Sequence, residues 1–373
     1  MLAACGSGTG GGSGTGAPAP PAAEAGSDLA GVCPDPVVVQ TNWFPQSEHG
    51  AVYQLLGPGY QLDPGRRRAT GPMVTPDGHP TGVRIQVRAG GPAVSFQSSA
   101  ALLYQDPQVT LGMLQADEIV QLSKTQPVVG VVAPLELDPQ VLLWDPQAHP
   151  DWNIIADIGQ TNAKVLYFQA NTYMEYLTGS GILRRSQVDG SYDGSPAAFV
   201  ASGGQIAVQG YATNEPWTYE HEVRQWHRPV KYQLIYDTGY PNYGNVLAVR
   251  ADKKDKLAPC LRKLVPLLQR AQVAFVAKPD PVIATILKAN GAYKGSFVYT
   301  RGNARFAVEQ MRRLGIVDNG PDRTLGNFDP GRLKRLVDIV GPILQAAKKP
   351  IKPDLEPGEV ATNEFIDERV RLP

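Results

Sequence analysis

The chain of 373 residues has few cysteines, no long basic run and no long apolar run, and each lack excludes a class of protein. Its 35 basic and 35 acidic residues cancel, so a nucleic-acid partner is not expected. The short run Arg66-Arg67-Arg68 lies among glycines and prolines and is interpreted as a solvated turn. No apolar stretch approaches the roughly 18 residues that span a bilayer.

Patterns of catalysis and metal binding are also missing. The segment His221-Glu222-Val223-Arg224-Gln225 begins like the zinc helix H-E-x-x-H, but glutamine occupies the second ligand position. The five histidines form no cluster with cysteine, and neither a P-loop nor a G-x-S-x-G motif occurs. We therefore predict no catalytic residues, no metal and no cofactor, and expect a binding protein rather than an enzyme.

The first of the three cysteines, Cys5, stands in Leu2-Ala3-Ala4-Cys5-Gly6, which resembles the lipid-attachment box of bacterial lipoproteins. A tract rich in Gly, Ser, Ala and Pro follows to about Gly31 and predicts a flexible tether, so residues 1–33 form one region. Only four residues precede Cys5, fewer than an export signal needs, so we expect that signal to lie upstream. The resemblance implies a lipid anchor and an extracytoplasmic location on the outer face of the cell membrane. The alternative is an incidental cysteine in a disordered start.

The other two cysteines, Cys33 and Cys260, remain as a pair. In an exported protein they are candidates for a disulfide, because oxidising compartments preserve such bonds. Cys33 precedes the first predicted strand and Cys260 lies in a predicted amphipathic helix.

Strands and helices are predicted to alternate along most of the chain, which favours parallel sheets in α/β lobes. Residues 61–81 are rich in Gly, Pro and Arg and are expected to form an inserted loop; 136–160 is a second long segment. The tail beyond Lys348 is expected to wrap the surface. The predicted strands are 37–40, 83–87, 109–113, 127–133, 164–168, 205–211, 231–236 and 245–250. The predicted helices are 52–56, 97–105, 115–124, 171–177 (capped by Asn171), 196–201, 254–276, 279–290, 303–314 and 330–347.

Four clusters of polar and aromatic residues directly follow predicted strands. They are Asn42–His49, Gln115–Glu118, Asn214–Tyr219 and Tyr236–Tyr243. Ligands of open α/β sheets bind beyond the carboxyl ends of strands, so these clusters predict one site. For any single aromatic residue, packing in the core or on the surface is the equal alternative. The candidate ligand-binding residues are Asn42, Trp43, Glu48, His49, Asp117, Glu118, Asn214, Glu215, Trp217, Tyr236, Asp237 and Tyr240.

The side chains of these candidates offer mainly carboxylate, amide and aromatic groups, and none of them is an arginine or a lysine. Such a site is expected to repel nitrate, sulfonate and phosphate and to favour a neutral or cationic, nitrogen-rich planar molecule. Rings would stack on its faces, and carboxylates would accept hydrogen bonds from its edge.

The stretch Asn42-Trp43-Phe44-Pro45-Gln46-Ser47-Glu48-His49-Gly50 resembles the N-x-x-P-x-x-E/D-H segment of substrate-binding proteins of bacterial ABC importers. Similarity is to the branch of thiamine-pyrimidine-precursor binders and pyrimidine-synthase-like proteins. Gly90-Gly91-Pro92, 112–118 and Asn214-Glu215-Pro216 also look like that branch. The resemblance spans roughly residues 36–345.

The resemblance implies an α/β type II periplasmic-binding-protein fold, in which two lobes joined by two crossing strands close on a ligand. Lobe I would comprise 34–134 and 232–373, and lobe II 135–231. The implied partners are a small-molecule ligand, an ABC permease and, through Cys5, the membrane; a monomer is expected. Three alternatives stay open: a binder of riboflavin or another aromatic ligand, a pyrimidine-synthase-like enzyme, and a surface binding module unrelated to transport. The cysteine-rich motif of the eukaryotic pyrimidine synthases is absent, which argues against the enzyme.

Overall fold

A computed structural model describes residues 1, 28–169, 171–295 and 297–373. Its twelve strands are β1 (Val37–Gln40), β2 (Gln61–Asp63), β3 (Arg68–Val74), β4 (Pro80–Arg88), β5 (Val109–Leu114), β6 (Val128–Val132), β7 (Gln140–Trp144), β8 (Val165–Leu166), β9 (Val188–Asp189), β10 (Ala207–Tyr211), β11 (Lys231–Leu234) and β12 (Val246–Arg250).

The described residues also form α-helices, which together with the strands build two α/β parts of the molecule. They are α1 (Gly50–Gln54), α2 (Ser99–Gln105), α3 (Ala116–Leu122), α4 (Ile155–Gly159), α5 (Tyr173–Gly179), α6 (Ala197–Ala201), α7 (Glu215–Trp217), α8 (Lys254–Ala277), α9 (Asp280–Tyr293), α10 (Arg301–Arg313), α11 (Pro330–Ala346) and α12 (Pro357–Val360). A π-helical turn, Thr218–Glu222, continues α7. None of these helices is long and apolar enough to cross a membrane.

The strands form two sheets. The first has seven strands in the order β2-β3-β4-β1-β5-β12-β6, and the second has five in the order β11-β7-β10-β8-β9. In the first sheet, β1 runs parallel to β4 and β5, and every residue of β1 is buried, as expected for a strand covered by helices on both faces. Both sheets also contain antiparallel pairs, such as β5 with β12 and β7 with β10, so the sheets are mixed rather than entirely parallel.

The chain crosses between the two sheets twice, at 133–139 after β6 and at 235–245 after β11. Arg332 of α11 ties the two crossings together. Its guanidinium donates to a carboxylate oxygen of Glu136 at 2.7 Å and to the backbone carbonyls of Pro241 and Asn242. A hydrogen bond of 2.7 Å from the Asn242 amide to Asp138 joins the same two segments. The crossings therefore form one buried hydrogen-bonded unit.

Cys33 and Cys260 form a disulfide, with a Cα–Cα distance of 4.7 Å, as the sequence indicated. The bond connects the residues before β1 to α8. Cys260 belongs to the largest core cluster, in which α8 packs against α1 and the first sheet. Cys5 lies outside the described residues.

Residues 61–81 are not a plain loop, contrary to expectation. They contain β2, β3 and the start of β4, which pair antiparallel and extend one edge of the first sheet. The residues of β3 alternate between more and less buried, which is the period-2 pattern of a strand. Two glycines, a proline and three arginines in and beside the strand concealed this pattern in the sequence. Segment 136–160 contains another missed strand, β7, whose five residues are all buried and which pairs with both β10 and β11.

Two smaller expectations were also wrong. The side chain of Asn171 does not cap α5; its amide donates to Gln209 at 3.0 Å, and the N-cap residue is Thr172. The tail does more than wrap the surface, because Val360 and Phe365 are buried and Thr362 donates its N–H to the carbonyl of Gly130 in β6.

Candidate functional site

A cavity of about 970 Å³ lies between the two sheets, at the ends of strands and the starts of helices. Its lining comes from both sides: β5 and α3 belong to the part built on the first sheet, and β10 and α7 to the part built on the second. A volume near the upper end of the usual range for small-molecule sites makes this cavity the candidate site.

The floor on the first side is acidic. Asp117 and Glu118 occupy the first turn of α3, and Glu118 accepts a hydrogen bond of 2.9 Å from the N–H of the N-cap residue Gln115. Asp138, from the first crossing, is 5% exposed and accepts hydrogen bonds from Asn242 and the Gln140 N–H. Acidic residues are favoured at a helix N-terminus, so the local sequence places them there for a structural reason.

Burial controls the protonation of this floor. Desolvation raises the pKa of Asp117 to about 6 and the pKa values of Glu118 and Asp138 to about 7, against the hydrogen bonds that lower them. The negative charge of Asp117 adds to the rise at Asp138. Near neutral pH the three carboxyl groups of the floor are therefore partly protonated.

The opposite wall follows β10. Glu215 accepts a hydrogen bond of 2.5 Å from the Tyr211 N–H, and burial raises the pKa of Glu215 to about 7. Gly210 allows this packing, because a Cβ there would lie 2.7 Å from Cγ of Glu215. Gln209 accepts from the Phe168 N–H at 2.6 Å and from the Tyr173 hydroxyl at 2.9 Å, which fixes the wall around it.

An aromatic group lies along the cavity. The ring of Trp43 is 5.5 Å from Phe168, 5.9 Å from Phe96 and 6.2 Å from Phe297, measured between centroids. Gly91 makes room for it: its φ is +58°, and a Cβ would lie 2.4 Å from the Trp43 ring. The group brings together rings from both parts of the molecule.

Six of the twelve candidates from the sequence line the cavity. They are Asn42, Trp43, Asp117, Glu118, Asn214 and Glu215. That they contact a ligand stays a prediction, but the structure brings them to one place from three separate regions of the chain.

Glu48 and His49 lie behind the lining and are fully buried. Glu48 accepts a hydrogen bond from the Thr213 hydroxyl, across the two parts of the molecule, and burial raises its pKa. His49 contacts Asn42 Oδ1 at 3.0 Å through Nε2, and burial lowers its pKa to about 3. His49 is therefore neutral at physiological pH and supports the position of Asn42.

The other four candidates also lie outside the lining. Trp217 packs on Phe306 of α10 and donates to Glu222 at 3.1 Å. Tyr240 is buried, stacks on Tyr176 and donates to Asp117 at 2.8 Å. Tyr236 lies beside Arg332, and Asp237 is exposed, with burial raising its pKa modestly.

Sequence reasoning missed several residues of the lining. They include Phe96, Asp138, Phe168, Tyr192, Gln209, Arg224 and Phe297. Phe168 lies two residues after β8 and Asp138 two residues before β7, so the rule of strand ends applied to β8 would have found Phe168. The lining also contains Arg224, an exposed residue of a type that the sequence candidates did not include.

Two lobes of mixed α/β structure, crossed twice by the chain and enclosing a cavity, define the periplasmic-binding-protein fold. A scan of protein-family models and a search of curated proteins found no match. Solved structures with the same fold include the alkanesulfonate-binding protein SsuA of Xanthomonas axonopodis pv. citri bound to MOPS, at 11% identity and a TM-score of 0.55, covering 88% of this chain and 99% of that one. The periplasmic aliphatic sulphonate-binding protein SsuA of Escherichia coli is 14% identical with a TM-score of 0.54, covering 91% and 94%. A protein of Bordetella bronchiseptica RB50 is 14% identical with a TM-score of 0.54, covering 89% and 96%. At these identities the likeness establishes the fold, as the sequence predicted.

Proposed function

We propose that this protein is the extracytoplasmic solute-binding component of an ABC importer, and that it captures a planar, nitrogen-containing small molecule similar to a thiamine-pyrimidine precursor. The observation that carries the proposal is the cavity between the lobes, which combines a buried acidic floor with an aromatic wall. Rings on the wall would stack on a flat ligand, and carboxylates on the floor would accept its N–H groups.

Charge argues against an anionic ligand. The described lining contains six carboxyl groups, those of Asp117, Glu118, Asp138, Asp193, Glu215 and Glu222, against the single guanidinium of Arg224. Two of the solved structures with this fold are sulfonate-binding proteins. A sulfonate in this cavity would meet an excess of negative charge in a partly desolvated site, which is unfavourable.

Contacts across the cavity support capture by closure. The Gln115 amide donates to the Tyr211 hydroxyl at 2.8 Å, and the Asn303 amide donates to Asn214 at 2.6 Å. Each bond joins a residue near the first sheet to one near the second. A ligand that touches both walls would favour this closed arrangement to the extent that it binds it better than the open one.

The volume of the cavity also supports a second class of ligand. Because about 970 Å³ exceeds what a single pyrimidine ring fills, riboflavin or another larger aromatic molecule is the alternative ligand.

A pyrimidine-synthase-like enzyme is the weaker candidate. The histidine that would support it, His49, is buried with its pKa lowered to about 3 and does not line the cavity.

The remaining parts of the proposal concern location and partners. We propose an ABC permease as the partner, a lipid anchor on Cys5 and a monomer in solution. We also propose the division into a tether (1–33), lobe I (34–134 and 232–373) and lobe II (135–231). The sheet strands support this division, since β1–β6 and β12 form one sheet and β7–β11 the other.

Thermal unfolding against pyrimidines, flavins, polyamines and sulfonates tests the function. A bound solute at 100 times its Kd adds about 2.7 kcal/mol of stability. We expect a shift with a planar nitrogen-containing solute and none with sulfonates. Trp43→Ala should weaken binding by at least about tenfold, since stacking supplies roughly 0.5–1.5 kcal/mol beyond the lost burial. Tyr104→Ala, an aromatic residue stacked on Arg250 away from the cavity, is the control. A shift with sulfonates alone would contradict the proposal.

A further inference from the structure

One carboxylate oxygen in the cavity is buried without a partner. Asp117 is 2% exposed and lines the cavity. Its Oδ2 accepts the Tyr240 hydroxyl at 2.8 Å, but Oδ1 accepts no hydrogen bond from the residues that the structure describes. Leaving a buried acceptor unmatched costs folding free energy, so an oxygen kept in that state beside a cavity points to a donor supplied by a ligand.

The groups around Asp117 add negative charge and no cation. Glu118 follows it in α3, and Asp138 is linked to it through Asn242, which accepts the Asp117 N–H at 3.0 Å and donates to Asp138 at 2.7 Å. The nearest buried cation, Arg332, is held by Glu136 at 2.7 Å and by backbone carbonyls. A positive ligand group would therefore find three carboxyl groups and no competing cation in direct contact.

Protonation of these carboxyl groups would respond to such a ligand. Burial raises the pKa of Asp117 to about 6 and those of Glu118 and Asp138 to about 7, so the floor holds protons near neutral pH. A cation stabilises the ionised carboxylates and lowers their pKa values. Binding would therefore release protons and strengthen as the pH rises.

Another part of the lining is apolar. Phe96 is 52% exposed and Val298 is 69% exposed, and both line the cavity beside Trp43 and Phe297. Large apolar side chains left exposed at the edge of a cavity mark a surface that an apolar partner covers. The cavity thus combines its acidic floor with an aromatic end, formed by Trp43, Phe96 and Phe297.

We propose, building on the proposed solute-binding function, that the ligand is an amphipathic cation. Its protonated amino or amidino group donates to Asp117 Oδ1, and its flat apolar part lies against Trp43 and Phe96. The acidic floor selects for charge, and the aromatic end selects for a planar ring.

Isothermal titration calorimetry with three indoles of the same ring tests this assignment. Tryptamine carries an ammonium group, tryptophol a hydroxyl and indole-3-propionate a carboxylate. We expect tryptamine to bind at least tenfold more tightly than tryptophol, and indole-3-propionate to bind most weakly. Equal affinities, tighter binding of the propionate, or no binding of any indole would overturn the cation proposal. A thermal shift with another solute would still leave the solute-binding function standing.

Asp117→Asn tests the residue itself, because it keeps the shape and removes the charge. The variant should lose the preference for tryptamine over tryptophol while its affinity for tryptophol stays the same. Asp255→Asn is the matched control: it removes an aspartate from the first turn of α8, where the side chain is 93% exposed. A tryptamine preference retained in Asp117→Asn would overturn the proposal.

The pH dependence gives a readout that a merely structural role for Asp117 would not move. From pH 5.5 to 7.5 the affinity of the parent protein for tryptamine should rise, and its affinity for tryptophol should stay flat. Titrations in two buffers of different ionisation enthalpy should show proton release with tryptamine. Proton uptake, or no proton exchange at pH 6.5, would overturn the assignment.

Discussion

Glu215 shows how burial, rather than a partner charge, sets the properties of this cavity. Its Oε2 accepts the Tyr211 N–H, and the Asn214 amide approaches Oε1 at 3.4 Å, yet desolvation outweighs both and raises its pKa to about 7. The charge of Glu48 raises it further. The ionised form of a carboxyl group buried in this way disfavours folding. The presence of Glu215 in the cavity wall is therefore better explained by ligand binding than by stability.

Glu215→Gln should therefore stabilise the ligand-free protein at high pH. The pKa of Glu215 is higher in the folded protein than the ordinary 4.5, so its contribution to stability is complete below about pH 4.5 and is lost as the pH rises through 7. At pH 8 the variant should be about 1–3 kcal/mol more stable to urea than the parent, and the two should converge near pH 4.5. Glutamine keeps an oxygen to accept the Tyr211 N–H.

Glu220→Gln is the control for this effect, because Glu220 is an exposed glutamate in the π-helical turn next to α7. It should change the urea midpoint equally at pH 4.5 and 8. If Glu215→Gln is destabilising at pH 8, the hydrogen bond from Tyr211 outweighs the desolvation of the carboxylate, and the pKa argument is wrong.

At the same scale, the sequence located the acidic and amide residues of the cavity better than its aromatic ones. Asp117, Glu118, Asn214 and Glu215 directly follow strands that were predicted from local patterns, and a strand end fixes position. Phe96 and Phe297 sit in irregular segments, where the distance along the sequence says little about position in space. Only the tertiary fold brings them to Trp43.

At the scale of elements, the two crossings and α11 act together. Arg332 is 4% exposed, and its guanidinium lies 3.6 Å from the centroid of the Tyr243 ring. The same guanidinium donates to the Glu136 carboxylate and to three backbone carbonyls. Despite this cation, burial raises the pKa of Glu136 to about 7, so desolvation dominates there as well. A buried pair of this kind fixes geometry more than it adds stability.

Arg332→Met should therefore destabilise the protein strongly, because it leaves the Glu136 carboxylate buried without its partner and leaves three backbone carbonyls without their donor. We expect a loss of about 3–5 kcal/mol in urea unfolding at pH 8. The loss should be smaller at pH 5, where Glu136 takes up a proton. Lys334→Met on the same helix removes an exposed ion pair with Asp338 and should cost under about 1 kcal/mol. A loss for Arg332→Met no larger than this control would refute the view that Arg332 holds the crossings.

The sequence predicted those elements whose hydrophobic pattern is contained within the element itself. The long amphipathic helices α8 to α11 and the apolar strands β1, β5 and β6 were found because their patterns repeat within one element. The strand β3 was missed because its partners β2 and β4 decide its conformation, and Gly71 and Pro72 within it disfavour a strand locally. The buried run of β7 carries no alternation and was hidden in a segment judged only by its length.

At the scale of the whole molecule, the disulfide closes a loop that contains nearly all of both sheets. Cys33 and Cys260 are separated by 227 positions, and β1 to β12 all lie between them. In the chain-entropy model a loop of this length gives a stabilisation of up to about 5 kcal/mol, because the cross-link restricts the unfolded chain. Most of the cavity lining lies within this loop, although Phe297, Val298 and Thr300 lie beyond it, and none of the lining residues is a cysteine.

Reduction should therefore lower stability without removing the site. In dithiothreitol we expect the free energy of unfolding to fall by about 2–5 kcal/mol, seen as a lower urea midpoint. Below that midpoint the ligand affinity should match that of the oxidised protein, since α8 and β1 remain packed in the same apolar core. The double variant Cys33→Ser and Cys260→Ser should unfold like the reduced parent and ignore the reductant. A midpoint that does not change on reduction would show that the cross-link adds nothing to stability, and a parallel loss of affinity would show that it also positions the lobes.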